Sequence, residues 1–486
     1  MNYYIGIDLG TSSCKGILTD SKAKIIKIAS REYDVIYPHS GWSEQNPEDW
    51  LKAVNEILAE LSEGIEDDVR GISFGGQMHG LVLLDDKDEV IRPAILWNDG
   101  RTGKETEYLN TVVGKEKLSE YTANIAFAGF TAPKILWVKE NEPENFNKIR
   151  KICLPKDYIA YKLTGVFSTD YSDASGMLLL DVKNKCWSNE MCEICSVKKE
   201  WLPKLYESWQ VTGKPKAEYG LKNAVVTAGA GDNAAAAVGT GTVGIGDCNI
   251  SLGTSGTVFI SQEGFSVDKN NALHSFAHAN GKWHLMGCIL SAASCNKWWI
   301  EDILRSDDYD GAVSDAGLGE NNVWFLPYLM GERSPHNDVD ARGVFFGMSA
   351  DTTREQMSTA VLEGVSFALR DCVDTARESG VSINRANLCG GGAKSKLWRK
   401  ILANVLDCEI TMTESEQGPS LGAAILSMVG AGEYATVEDA VEATVNASVV
   451  SKPDDALVAK YNEKYKVFKA LYPALKDVYK KAAEKI

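Results

Sequence analysis

Two periodicities alternate through the first eighty residues. Apolar side chains crowd into Tyr3–Asp8, Cys14–Asp20 and Ile25–Tyr33, with Ser21–Lys24 between the last two. Short apolar runs separated by turn residues predict a three-stranded meander. From residue 46 the period lengthens. Asn46 stands as a cap, Pro47 takes the first helical position, and Trp50, Val54, Ile57, Leu58 and Leu61 recur at three- and four-residue spacing. That spacing predicts a helix with one apolar face. "VRGISFGGQMHG" (Val69–Gly80) returns to a strand that runs out in glycines.

Near residue 247 the pattern starts again. "CNISLGTSGTVFIS" (Cys248–Ser261) reads strand, tight turn, strand, and Leu-Gly-Thr-Ser occurs at Leu9–Ser12 and again at Leu252–Ser255, half the chain away. A repeat at that distance, flanked by the same strand–turn–strand pattern, suggests a duplicated domain. Further on, Thr352 and Glu355 have capping-box spacing, ahead of a helical line through Met357, Val361, Val365, Leu369, Cys372 and Ala376. "SKLWRKILANVL" predicts another helix. The amphipathic tail from about residue 454 predicts a last one, interrupted at Pro473.

Composition narrows the class. The chain has 486 residues, enough for two or three domains of roughly 150 residues each. Its formal charge of −16 argues against nucleic acid or an anionic membrane as partner, since both need a basic patch. Eleven scattered cysteines read as reduced, buried side chains. No apolar run approaches the ~18 residues of a membrane span, and no basic segment followed by an apolar run opens the chain, so the cytoplasm is the expected location.

The chemistry gathers at glycine-rich turns. A hairpin turn of Gly, Thr and Ser offers backbone N–H groups and hydroxyls without bulk, which suits phosphate oxygens. Two such turns on two similar domains can hold one polyphosphate from both sides. Only the first has an acid before it: Asp8, where Ser251 stands in the second. One divalent cation suffices to bridge phosphates, and Asp8 is its expected ligand, largely through water. In "TAGAGDNAAAAVG" (Thr227–Gly239) a strand passes Gly229 and Gly231 to Asp232 at a helix start. Asp caps helices well, but a cap needs no glycines before it, and a kinase needs a carboxylate beside the hydroxyl it phosphorylates.

Other turns carry ligand-reading groups. "SFGGQMHG" puts Gln77, Met78 and His79 beyond a strand end, and "ILWNDGRT" (Ile95–Thr102) adds Asn98, Asp99 and Arg101, groups suited to reading hydroxyls. "LCGGGAKSKLW" (Leu388–Trp398) is strand, three glycines, helix, a surface on which a nucleoside can lie. "GTGTVG" (Gly239–Gly244) follows a helix and precedes a strand, the reverse of a dinucleotide fingerprint. Cys192 and Cys195 lack a second pair, and His274 and His278 on one strand stand about 13 Å apart, too far to share a metal.

Together "QMHG", "ILWNDGRT", "GAGDN", "SLGTSG", "PYLMGERSPHNDVDARGVFFG" and "CGGGAKS", in this order, resemble the FGGY family of carbohydrate kinases over nearly the whole chain. The first two point to the family's xylulose branch. The resemblance implies an α/β fold of two ribonuclease-H-like domains, as in actin and hexokinase, dividing here at about 244/245, with the active site between them and a hinge near 240–250. It implies ATP and Mg²⁺, D-xylulose as acceptor, and a homodimer. Asp232 would be the catalytic base and Asp8 the metal-serving acid. Gln77, Met78, His79, Trp97, Asn98, Asp232 and Asn233 would meet the sugar. Gly10, Thr11, Ser12, Lys15, Gly253, Thr254, Gly391, Gly392 and Ser395 would meet ATP. Two rivals stay open: a sister kinase for another ketose or polyol, and an actin-like ATPase switch or filament protein.

Overall fold

Hydrophobic alternation almost vanishes from Tyr3–Leu9 (β1), because it runs through the middle of a sheet covered on both faces. The computed structural model describes residues 1–309, 311–315 and 317–484. β1 is followed by Ser13–Asp20 (β2), Ile25–Glu32 (β3), the helix Pro47–Ser62 (α1), Val69–Gly76 (β4) and the helix Pro155–Thr164 (α2). Then come Val211–Gly213 (β5), Val225–Thr227 (β6), Ala230–Gly231 (β7) and the helix Asp232–Gly239 (α3). Asn46 caps α1, accepting from the Glu48 N–H, and the five apolar residues that predict this helix are all buried.

The strand order of the first sheet is β5-β6-β4-β1-β2-β3, with β7 also on β4. The second sheet is built from Cys248–Leu252 (β8), Gly256–Gln262 (β9), His274–Ala277 (β10), Trp283–Ile289 (β11), Arg385–Cys389 (β12), Glu409–Thr413 (β13) and Ala447–Ser451 (β14). Its order is β10-β11-β9-β8-β12-β13-β14. β8 pairs antiparallel with β9 and parallel with β12, as β1 pairs with β2 and β4. Outward from there, β11, β13 and β14 take the places and directions of β3, β6 and β5. Only β10 is extra. The half-chain repeat is therefore a repeat of topology.

Among the described residues the four longest helices of the second half are Arg354–Glu378 (α4), Lys396–Leu406 (α5), Gly418–Gly430 (α6) and Asp455–Ala483 (α7). Two differ from expectation. The capping box of α4 is Thr353 with Gln356, one residue on from the Thr352–Glu355 pair. Thr352 is spent on the preceding turn, where its hydroxyl accepts from the Ser349 N–H. α7 continues through Pro473. Tyr461, Tyr465, Phe468, Leu471, Tyr472 and Tyr479 are buried on both sides of the proline, and that packing outweighs the one lost backbone bond. Among the described residues no helix is long and apolar enough to cross a membrane.

α6 belongs in sequence to the second half but lies on the first sheet. A side chain at Gly6 of β1 would be driven into the Ser420 carbonyl oxygen, and one at Gly71 of β4 into that of Ser427. α3 crosses α6 equally closely, Gly422 resting on the Ala235 carbonyl. Around these helices one apolar cluster joins Tyr4 and Ile17 of the first sheet to Phe259 of the second. The two halves thus share a core beside the cleft that separates their strand ends.

Candidate active site

The paired registers place the two hairpin turns alike. Asp8 faces Lys15 and Leu9 faces Cys14 across the first; Ser251 faces Thr257 and Leu252 faces Gly256 across the second. Gly10, Thr11 and Ser12 lie in the first turn. Gln45 donates to the Thr11 carbonyl (2.6 Å), Tyr33 to that of Gly10 (2.6 Å), and Ser12 is exposed. In the second turn Gly253 and Thr254 accept at their carbonyls from the N–H groups of Ala293 and Ala292. Among the described residues the N–H groups of Gly253 and Thr254 have no protein acceptor, so they remain available to an anion.

Asp8 and Asp232 meet across β4. Asp8 stands level with Gly75, and Gly231, next to Asp232, stands level with Gly76 on the other side. Two strand spacings of about 4.8 Å separate them, with glycine between. Burial, with Asp232 second, pushes the Asp8 carboxyl up to about 7, against the pull of Lys15. Burial pushes Asp232 up to about 6, opposed by the Asn233 N–H (2.7 Å) and side-chain amide (2.9 Å), both donating to its Oδ1. Both carboxylates keep part of their surface open to the cleft. Asp232 also begins α3, where the helix dipole favours an anion.

From Asp232 a cavity of about 500 Å³ runs into the second half. Asn233, Ser251, Thr257, Phe259, Gly390 and Gly391 are among its lining. Gly392 and Ser395 are not. Gly392 packs on Leu252 and Trp398, while Ser395 caps α5 by accepting from the Trp398 N–H. Asn249 and Phe259 also line the cavity without having been expected there. The period-two rule could have found them, since Asn249 shares a face with Ser251, and Phe259 with Thr257.

On the other side of Asp232 lies a wall from the first half. Met78 Sδ is 4.0 Å from the Asn233 amide. His79 sits at φ +69°, with Lys134 and Thr131 both donating to its carbonyl. Its ring stacks on Phe130 at 4.6 Å, and Nδ1 lies 2.8 Å from the Gly176 carbonyl. Burial drives His79 down to about 3, so the ring is neutral, Nδ1 must carry the proton, and Nε2 is left as an acceptor. Gln77 is buried, with its amide held by Thr11, Gly10 and Gln45. Trp97 and Asn98 are exposed, and the Trp97 indole donates to the Thr11 hydroxyl (2.9 Å). Asp99 and Arg101 are buried in an ion pair that also takes in Glu44.

Behind Asp232 stands a cluster with no sequence motif to announce it. Buried Lys156 on α2 reaches Asp157 (2.7 Å), Asp170 (2.9 Å) and Asp173 (3.7 Å). Burial opposes its charge, but the three carboxylates prevail and hold the ammonium above the ordinary lysine range. Lys156 also donates to the Ala228 carbonyl, and Ser172, held by Asp170, accepts from the Gly231 N–H. The cluster thereby grips the backbone that delivers Asp232.

The chain matches known proteins over nearly its whole length. The N-terminal domain of the FGGY family of carbohydrate kinases matches residues 3–239 and the C-terminal domain of that family residues 248–431. The xylulose kinase of Escherichia coli K12 is 40% identical over 482 residues, covering 97% of this chain and 99% of its own length. The crystal structure of a xyloylose kinase from Brucella ovis superposes with a TM-score of 0.91 at 38% identity, over 98% of this chain and 100% of that one. A gluconate kinase from Lactobacillus acidophilus superposes with a TM-score of 0.94 at 27% identity, over 99% of both chains. With both of its domains matched around a shared cleft, the chain belongs to the FGGY family of carbohydrate kinases.

Proposed function

We propose that this chain transfers the γ-phosphoryl group of ATP to the 5-hydroxyl of D-xylulose, with Asp232 as base. The observation that carries the reading is the position of Asp232, at the junction between the glycine-lined cavity and the Met78–His79 wall. One Oδ of Asp232 is held by Asn233, which leaves the other to take the hydroxyl proton. A carboxylate raised to about 6 is still ionised at neutral pH and more basic than an exposed one. Neutral His79 offers Nε2 to a sugar hydroxyl, Asn233 and Asn98 bring further polar groups, and exposed Trp97, its N–H held by Thr11, offers its ring. The polyphosphate would lie between the two hairpin turns, with Lys15 beside it and the nucleoside along Gly390–Gly391. Most of the rate gain is positioning, as is usual for phosphoryl transfer.

A divalent cation fits the acid side. Asp8 presents a carboxylate with no protein donor among the described residues, next to a second acid that raises it further. Among the described residues no group of three or more His, Cys, Asp or Glu could form a closed metal cage. That suits Mg²⁺, which takes one or two carboxylates and fills the rest of its shell with water and phosphate oxygens. Asp8 would hold it, and the ion would neutralise phosphate charge. Residues 240–250, which include Gly241, Gly244 and Gly246, are our choice of hinge.

An ADP-coupled assay over D-xylulose, D-ribulose, xylitol and D-gluconate tests the reading. D-Xylulose should give the highest kcat/KM, which should rise with pH through an apparent pKa of about 6. Asp232→Asn should lose about 10²- to 10⁴-fold in kcat and still bind the sugar calorimetrically. A different best acceptor would move the protein to a sister activity. ATP turnover indifferent to sugars would favour a switch protein, and an active Asp232→Asn would end the base assignment.

A further inference from the structure

The segment "GERSPH" carries a charged group for which the proposed reaction has not yet provided a role. Arg333 is half-buried, and its backbone is fastened to β11 on both sides. Buried Glu332 accepts from the N–H groups of Leu290 (3.0 Å) and Arg333 (2.8 Å). Ser334 exchanges hydrogen bonds with Cys288, N–H to carbonyl at 3.0 Å and hydroxyl from N–H at 3.1 Å. The side chain so anchored crosses from the second half of the molecule to the first. Its guanidinium lies over the Phe127 ring at 5.7 Å. Phe127 touches Phe130 at 5.3 Å, and Phe130 is the ring on which His79 stacks. His274 of β10 closes the same patch, 5.0 Å from Phe127.

Among the described residues no protein oxygen accepts from this guanidinium and no carboxylate pairs with it. A half-buried cation with five N–H donors and no acceptor capacity wants an acceptor atom from a ligand. From Asn233 the wall runs by contact through Met78, then His79, Phe130 and Phe127 to this guanidinium, which puts it at the end of the wall away from Asp232. If the 5-hydroxyl lies at Asp232, the far end of an open-chain pentulose is its C1–C2 end. The C2 carbonyl oxygen there has two lone pairs and no proton, which complements a group that can only donate. A polyol puts a hydroxyl at that carbon, and its own proton must be turned aside.

Resting on the xylulose reading above, we propose that Arg333 is a specificity-determining residue that donates to the C2 carbonyl oxygen of the ketose. Because it rides on the second half and reaches the wall of the first, it also ties recognition of the keto end to closure of the cleft.

Arg333→Met and Arg333→Lys test this, with D-xylulose as substrate and xylitol as substrate or competitive inhibitor. Losing a charge-assisted hydrogen bond should cut kcat/KM for D-xylulose about 10- to 100-fold in Arg333→Met, chiefly through KM. Xylitol should change less than about threefold, and Arg333→Lys should recover part of the loss. Melting points close to wild type would separate this from a folding defect. Equal losses for ketose and polyol, or a D-xylulose kcat/KM kept within about threefold, would overturn the inference and leave the proposed function standing. A wild-type enzyme that ignores D-xylulose in favour of another acceptor overturns both.

Discussion

Asp8→Asn should disable this kinase and at the same time stabilise it. The carboxyl is raised from 3.8 to about 7 by burial and by Asp232, so the folded protein binds the Asp8 proton more tightly than the unfolded chain does. Stability contributed by such a group is intact below about pH 4 and is lost as pH rises towards 7. Integrated over that span the loss has a ceiling of about 4 kcal/mol, at about 1.4 kcal/mol per tenfold change in proton affinity. Because the carboxylate keeps some contact with cleft water, about 1–2 kcal/mol is the expected gain for the neutral isostere at pH 8. For domains of this size that corresponds to a rise of about 2–8 °C in melting temperature. The assay is thermal or urea unfolding of both proteins without nucleotide or Mg²⁺, at pH 5 and pH 8. The advantage of the variant should be larger at pH 8, and added Mg²⁺·ATP should stabilise wild type more than the variant. A variant no more stable than wild type at pH 8, or with an advantage that shrinks as pH rises, would refute the electrostatic reasoning.

Two further outcomes follow from the supports of the site. Gly390 has φ +88°, and a Cβ there would stand 2.6 Å from the Leu252 carbonyl oxygen, whereas at Gly391 it would meet nothing within 4 Å. Gly390→Ala should therefore cost about 1–3 kcal/mol and raise KM for ATP, while Gly391→Ala leaves the urea midpoint nearly unchanged. Lys156→Met should cost about 3–5 kcal/mol in urea unfolding, because it leaves Asp157, Asp170 and Asp173 buried without their cation.

Much of the local structure was legible because its causes are local. The hairpins around Gly10 and Gly253, the Asn46–Pro47 helix start and the approach of Gly229 and Gly231 to Asp232 follow from turn chemistry and periodicity. The one-residue offset of the box at Thr353 shows how little separates neighbouring caps, since Thr352 and Thr353 differ only in which turn claims the hydroxyl. Pro473 misled because a rule about backbone bonds was applied without the buried tyrosines that flank it. Gln77, Asp99 and Arg101 look alike in sequence to groups that read hydroxyls. Their partners, Gln45, Thr11 and Glu44, are distant in sequence, and those partners are what hold them inside the protein.

By itself the sequence determined the two matching hairpins and the glycine-relieved turns, because spacing along one strand or one helix start decides these. Tertiary structure alone decided that α6 of the second half seals the first sheet, that Lys156 braces the loop before Asp232, and that Arg333 reaches across to Phe127. Close backbone approach, burial of charge and contact between halves depend on residues tens to hundreds of positions apart, and no local period records them.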